Sequence, residues 1–271
     1  MLEIKRILKS TDFGGTNPVW IIANDNNEYL LKFRYDENEL DVSNFFEYLS
    51  YRLIQELRLN INIPEFNIIN ITEKDLILFE NAFENKLITL ESYEFAKKSV
   101  GPNFGVKKIL NVQKAPDNIN HPEIKNIIHI DNYVLNQDRT PSNPNILISL
   151  DDKNKIYTID FGLALLEHRI YENIYNLQDI NDPLFSAAYH CNIQKYEFYL
   201  FKKYQIEKDK IIKTNKTFDE IKDIISYIID EMPDEWEPKE NKEKIINLIA
   251  YRILNIKIWE SQKCPMEIQN F

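Results

Sequence analysis

Between Asp131 and Gly162 the chain reads DNYVLNQDRTPSNPNILI, a short polar turn, then KIYTIDFG. No other stretch narrows the possible folds as much. It predicts a helix end, a polar loop and two short apolar strands paired across a turn, the second ending in Asp-Phe-Gly. Asp138 stands five residues before Asn143, seven before Asn145 and 22 before Asp160. One loop between paired strands, with the end of the next strand, can bring such groups to one place. Phosphoryl transfer requires this set: a carboxylate to accept the proton of an attacking hydroxyl, and hard oxygen ligands to hold Mg²⁺ against phosphates. Asp138 is the candidate catalytic base and Asp160 a candidate metal ligand. Asn143 is the candidate second ligand, with Asn145 as its rival.

Composition sets the weight of each residue. Asn is abundant, 31 of 271 residues, so an Asn at any one position is a weak signal. Gly is scarce, five in all, against a usual share of about 7%, so each is expected to serve the backbone. Gly14, Gly15 and Thr16 lie in a turn-rich loop ahead of two β-rich runs, Val19–Ala23 and Glu28–Phe33, which Asn24-Asp-Asn-Asn27 joins as a hairpin. Small residues there let backbone N–H groups approach an anion, which makes these three candidate nucleotide contacts. Lys32, in YLLKF, sits among apolar residues where an unpaired ammonium is costly. It is read as the lysine of the nucleotide phosphates, paired with a helix Glu. Phe45, Phe46, Leu49, Leu53 and Leu57 predict a helix over 43–59 with Ser43 as its cap. Glu47, beside that stripe, is the chosen partner; Glu39 is the weaker rival and Glu56 faces solvent.

The remaining elements follow in order. Residues 2–8 suit an edge strand, and Asn67–Ile71 with Leu76–Phe79 suit a second hairpin around Thr72-Glu-Lys-Asp75. The expected division is therefore an N-terminal lobe over 1–80, a hinge over 81–84 and a larger lobe over 85–271. Backbone groups of Glu80–Phe83, those of Glu80 and Ala82 among them, are then candidates for an adenine edge. Residues 85–120 pattern poorly, and Gly101–Gly105 reads as a loop bordering the cleft. A helix over 122–136 delivers the catalytic loop, and its Asp131 either braces that loop or is simply exposed. Helices over 193–206, 217–230 and 239–259 complete the chain. A net charge of −10 opposes direct nucleic-acid binding. No signal peptide or membrane span is visible, and Cys191 and Cys264 lack disulfide or metal spacing. A cytoplasmic protein is expected.

GGTNPVWII, YLLKF, the Glu47 helix, Phe104-Gly105, NQDRTPSNPNILI, IDFGLAL and Pro233-Asp-Glu-Trp236 together resemble the short HipA-like kinases over almost the whole chain. The most specific part is 131–165, whose Asp, Asn and Asp-Phe-Gly also have the spacing of protein-kinase catalytic and metal loops. The resemblance implies an α+β, two-lobed protein-kinase-like fold, with a small β-rich N-lobe and a larger, mainly helical C-lobe. It implies ATP and Mg²⁺ as cofactors. By position it places Asp138 as the catalytic Asp, Asp160 and Asn143 as metal ligands and Lys32 as the nucleotide lysine. The phosphoacceptor expected first is a protein Ser or Thr hydroxyl. Alternatives are a small molecule (a sugar, antibiotic or lipid head group), or a nucleotide-binding pseudokinase that acts as an interaction module. An antitoxin-like protein partner is compatible with it. The loop reads Asp138-Arg-Thr where HipA toxins proper carry Asp-x-His, so the substrate does not carry over.

Overall fold

Alternation governs the first hundred residues of the computed structural model. The structure describes residues 1–11, 17–35, 42–116, 119, 121–134, 136, 138–139, 143–164, 215–236 and 242–254. Gly14, Gly15, Thr16, Glu39 and the helix expected over 193–206 lie outside them. Five strands, β1 (Leu2–Ser10), β2 (Val19–Ala23), β3 (Glu28–Lys32), β4 (Phe66–Ile71) and β5 (Gly101–Lys107), close in the order β1-β2-β3-β5-β4. All neighbours are antiparallel except β1 with β4. β1 pairs on both sides and is not the edge strand expected. Val19, Ile21 and Ala23 on β2 and Tyr29 and Leu31 on β3 fill the interior with Ile4, Ile7, Ile69 and Ile71. The hairpin between β2 and β3 turns as its sequence predicts: Asn26 takes the left-handed conformation, φ 65°, and the Asp25 carboxylate accepts the Asn27 N–H.

The expected second hairpin is absent, and the barrel finds its fifth strand elsewhere. Leu76–Phe79 opens helix α2 (Leu76–Glu84), after α1 (Ser43–Glu56) and before α3 (Leu90–Lys98). An apolar run this short does not distinguish strand from helix. Here the Asp75 carboxylate accepts both the N–H and the hydroxyl of Thr72, at 2.7 Å each, and turns the chain into a helix. Phe79 and Ala82 of α2 and Phe95 and Ala96 of α3 then pack on the barrel core. The stretch read as a cleft loop is β5. Its Gly105 lies so close to β4 that an added Cβ would stand 2.5 Å from Ile69 Cγ1, and Gly101 has φ +115°. Glu80 and Ala82 therefore belong to a helix and are not a hinge. The chain leaves the barrel after Lys107, and Lys108–Asn111 is the connection to β6.

The second half contributes β6 (Val112–Lys114), β7 (Ile146–Ser149) and β8 (Ile156–Thr158), an antiparallel sheet in that order. Helices α4 (Ile124–Val134), α5 (Phe218–Asp230) and α6 (Lys242–Leu254) fall within three expected segments. A reciprocal Thr217–Glu220 capping box starts α5. α1 has no such device: Val42 occupies the N-cap position without a side-chain bond, so Ser43 is its first residue and not its cap. Phe45, Phe46, Leu49 and Leu53 of α1 belong to one apolar cluster with α4, α5, α6 and the outward residues Phe104 and Val106 of β5. The barrel interior is a separate cluster. No described helix is long and apolar enough to cross a membrane.

Candidate active site

The strand period that buries Leu31 turns Lys32 to the opposite face, out of the barrel and toward α1. There Lys32 ion-pairs with Glu47 Oε1 and, at 2.7 Å, with Asp160 Oδ1. Glu47 is fully buried, whereas the Asp160 side chain keeps 42% of its surface exposed. Burial alone would lower the Lys32 pKa, but the carboxylates of Asp160 and Glu47 outweigh it and hold it above the ordinary value. Burial pushes the Glu47 carboxyl up against the pull of Lys32. For Asp160 burial acts in the same direction, yet the adjacent Lys32 ammonium dominates and its pKa falls. The structure thus brings together Lys32, Glu47 and Asp160 as the sequence analysis expected.

Backbone conformation delivers Asp160. The residue has φ 65°, in the left-handed region that Asp tolerates better than most non-glycine residues. Phe161 beside it is fully buried and meets the Tyr51 ring of α1 edge-on at 5.6 Å. Gly162 lies against the same helix: an added Cβ would sit 3.5 Å from Glu47 Oε1 and from Ser43 Cβ, which is ordinary contact. The Asp-Phe-Gly turn is therefore packed against the helix that carries Glu47.

Asp138 gathers both candidate asparagines. Asn145 Nδ2 donates to Asp138 Oδ2 at 2.8 Å. Asn143 Nδ2 lies 3.4 Å from each carboxylate oxygen and 3.3 Å from the Asp138 carbonyl. Asn145 is buried with φ 47°, and Asn143 is half-buried. Burial, and then repulsion from Asp160, raise the Asp138 pKa against the hydrogen bond from Asn145.

Two residues that the sequence reading did not single out hold this loop in place. Arg139, 2% exposed, donates from Nε to Asp131 at 2.6 Å and from Nη1 to the carbonyls of Pro144 and Asn145. Its Nη2 reaches the Ile159 carbonyl at 3.4 Å, and its guanidinium lies 5.2 Å from the centre of the Phe161 ring. Asn136 donates to Asp131 and, at 3.5 Å, to the Asp160 carbonyl, while its own side-chain oxygen accepts the Asp138 N–H. Asp131 is thus a buried brace and not an exposed carboxylate. Its pKa is raised by burial against the pull of Arg139. A signal existed in the sequence: an Arg next to the candidate base, in a loop between an apolar helix and an apolar strand, needs a carboxylate partner.

Candidate nucleotide contacts Glu80 and Ala82 lie on α2, whose Phe79 and Ala82 pack in the barrel core. A family model described as HipA-like kinase matches residues 4–258, nearly the whole chain. No curated protein matches.

Proposed function

This chain belongs to the HipA-like kinase family, and from that premise we propose that it transfers the γ-phosphoryl group of Mg²⁺·ATP to a protein Ser or Thr hydroxyl. The observation that carries the reading is the single ammonium of Lys32 shared between buried Glu47 and partly exposed Asp160. We read the barrel with α1–α3 as the N-lobe, Lys108–Asn111 as the hinge and the remainder as the C-lobe.

The donor set fits a divalent cation accompanied by phosphates. Glu47, Asp160 and Asp138 carry −3 against +1 on Lys32, a formal −2 around the cleft. The carboxylates do not form a cage: among the described residues no three His, Cys, Asp or Glu side chains are grouped as a metal site. Mg²⁺ keeps waters and binds through one or two protein groups plus phosphate oxygens, which suits Asp160 with one amide oxygen. Asn143, the less buried of the two asparagines, is our choice for that amide; Asn145 is the orienting partner of Asp138. Bound Mg²⁺·ATP would supply the transferable phosphoryl group and a cation to neutralise charge on it.

Each residue then has a separate task. Lys32, anchored on Glu47, offers its charge to the phosphates. Asp138, held by Asn145 and by its N–H bond to Asn136, accepts the hydroxyl proton; a raised pKa makes it a better base near neutral pH. The test is thermal unfolding with ATP, with and without Mg²⁺. At one hundred times Kd the nucleotide adds about 2.7 kcal/mol of stability, and Mg²⁺ enlarges the shift. An unmoved transition at millimolar ATP removes every kinase reading. Label from γ-phosphate appearing on protein Ser or Thr, and not on small molecules, separates the proposed acceptor from the alternative.

A further inference from the structure

Pro233-Asp-Glu-Trp236 is a sequence motif that the site as described does not use. It forms a turn after α5, closed by the Trp236 N–H to the Pro233 carbonyl at 3.1 Å. The Trp236 side chain is fully buried. Its indole Nε1 donates to the Pro102 carbonyl of β5 at 2.9 Å, and its ring meets Tyr48 of α1 edge-on at 5.8 Å and 71°. Tyr48 directly follows Glu47 and also packs on Phe66 of β4. One helical turn further along α1, Arg52 pairs with Glu231 at the end of α5, at 2.8 Å. The turn over 231–236 thus ties the outer side of α1 to the barrel strands.

We propose that Trp236 is a positioning residue for Glu47. It fixes α1 against β5 through Tyr48 and Pro102, so that the Lys32–Glu47 pair is set by a turn almost 190 residues after Glu47 in the chain. Two observations support this. α1 belongs to the apolar cluster of α4, α5 and α6 and not to the barrel's own cluster. Its start at Val42 has no side-chain cap, so local capping does not fix where the helix begins. Packing through Tyr48 and Pro102 supplies the missing register. The inference rests on the kinase reading for its catalytic consequence alone; the hold on α1 is independent of it.

Two measurements on the full chain test it. Amide exchange in Trp236→Phe, which keeps a ring beside Tyr48 and loses the Nε1–H, should run roughly tenfold faster in α1 while β1–β3 keep their protection. In phosphoryl transfer, Trp236→Phe should cost roughly tenfold in the wild-type background and less than about twofold in Glu47→Gln, because both substitutions act on one pair. A merely structural tryptophan would lower the melting temperature without that loss of additivity. Arg52→Met is the milder variant should Trp236→Phe not fold, with the same pattern at about threefold. Unchanged exchange in α1 overturns the inference, and so does a tenfold cost that persists in Glu47→Gln. A wild-type protein without transfer removes the kinase reading instead, and the exchange result still decides the hold of Trp236 on α1.

Discussion

Among the described residues, the Lys32 ammonium pairs with two carboxylates and is felt by a third, Asp138, whereas the Arg139 guanidinium meets one carboxylate and three backbone carbonyls. The two clusters are neighbours, since Asp138 and Arg139 are adjacent in the chain and Asn136 bonds into both. The Arg139 cluster is charge-balanced and dry, with both side chains almost fully buried. The Lys32 cluster has a negative excess, and one of its carboxylates, Asp160, is partly exposed to solvent. An unbalanced charge in a cleft is stabilised by what binds there, whereas a balanced buried pair is satisfied by the protein itself. The comparison teaches that charge left over, more than charge buried, marks the cluster with room for a ligand's charge.

The sharpest break between the clusters lies in what a neutral substitution removes. Asp138→Asn should lose roughly 10²–10⁴ in rate, the usual span of a general base, with Mg²⁺·ATP affinity held within a few-fold. Asp160→Asn should lose rate and most of the Mg²⁺ dependence of ATP binding as well, since it removes a ground-state ligand. Calorimetric ATP titration at several Mg²⁺ concentrations, beside transfer assays, reads both. Metal dependence lost in Asp138→Asn and kept in Asp160→Asn would reverse the two roles.

On the balanced side the cost should appear in folding. Arg139→Met leaves Asp131 buried without its cation, and breaking such a pair typically costs about 3–5 kcal/mol. Denaturant unfolding measures it. A variant as stable as the wild type would show that Asn136 alone satisfies Asp131.

Within the Lys32 cluster the partners should fail to add. Lys32→Met and Glu47→Gln each remove one interaction, so the double variant should transfer phosphate about as fast as the slower single one, with a coupling of roughly 1–3 kcal/mol. Rate losses that multiply would mean that Glu47 acts on something other than Lys32.

The smallest expected effect separates the asparagines. Asp138 must be ionised to accept a proton, and its pKa lies above the ordinary carboxylate value, so activity falls as pH falls through that raised pKa. Asn145 donates to the ionised form and lowers the pKa. Asn145→Ala should therefore move the acid limb of the pH–rate profile to higher pH. Asn143→Ala should leave that limb in place and weaken the Mg²⁺ dependence of ATP binding. The opposite pattern would exchange the two residues.

Most of the proposed site is legible in the sequence. Lys32, Glu47, Asp138, Asn143, Asn145 and Asp160 were readable because strand and helix periods, together with loop spacing, are properties of neighbouring residues. The structure joins Lys32 to Glu47 and Asp160, and Asp138 to both asparagines. The course of the chain after β4 was not legible. Leu76–Phe79 has the apolar content of a strand, and only the barrel shows that β5, admitted beside Ile69 by Gly105, closes the sheet and leaves Glu80 and Ala82 in a helix.

What the sequence by itself determined is which groups exist and at what spacing: the Asp, Asn and Asp of the loop pair, a lysine at the end of a strand and a glutamate on an amphipathic helix. What only the tertiary structure decided is which charges are dry and which stay partly exposed. Asp131 and Asp138 are both loop-flanking carboxylates in one dimension. One is sealed beneath Arg139 and the other is only partly buried, because desolvation depends on what the fold packs over a group. Trp236 is the extreme case. Its indole meets Pro102, 134 residues earlier, and no local pattern carries information over that distance.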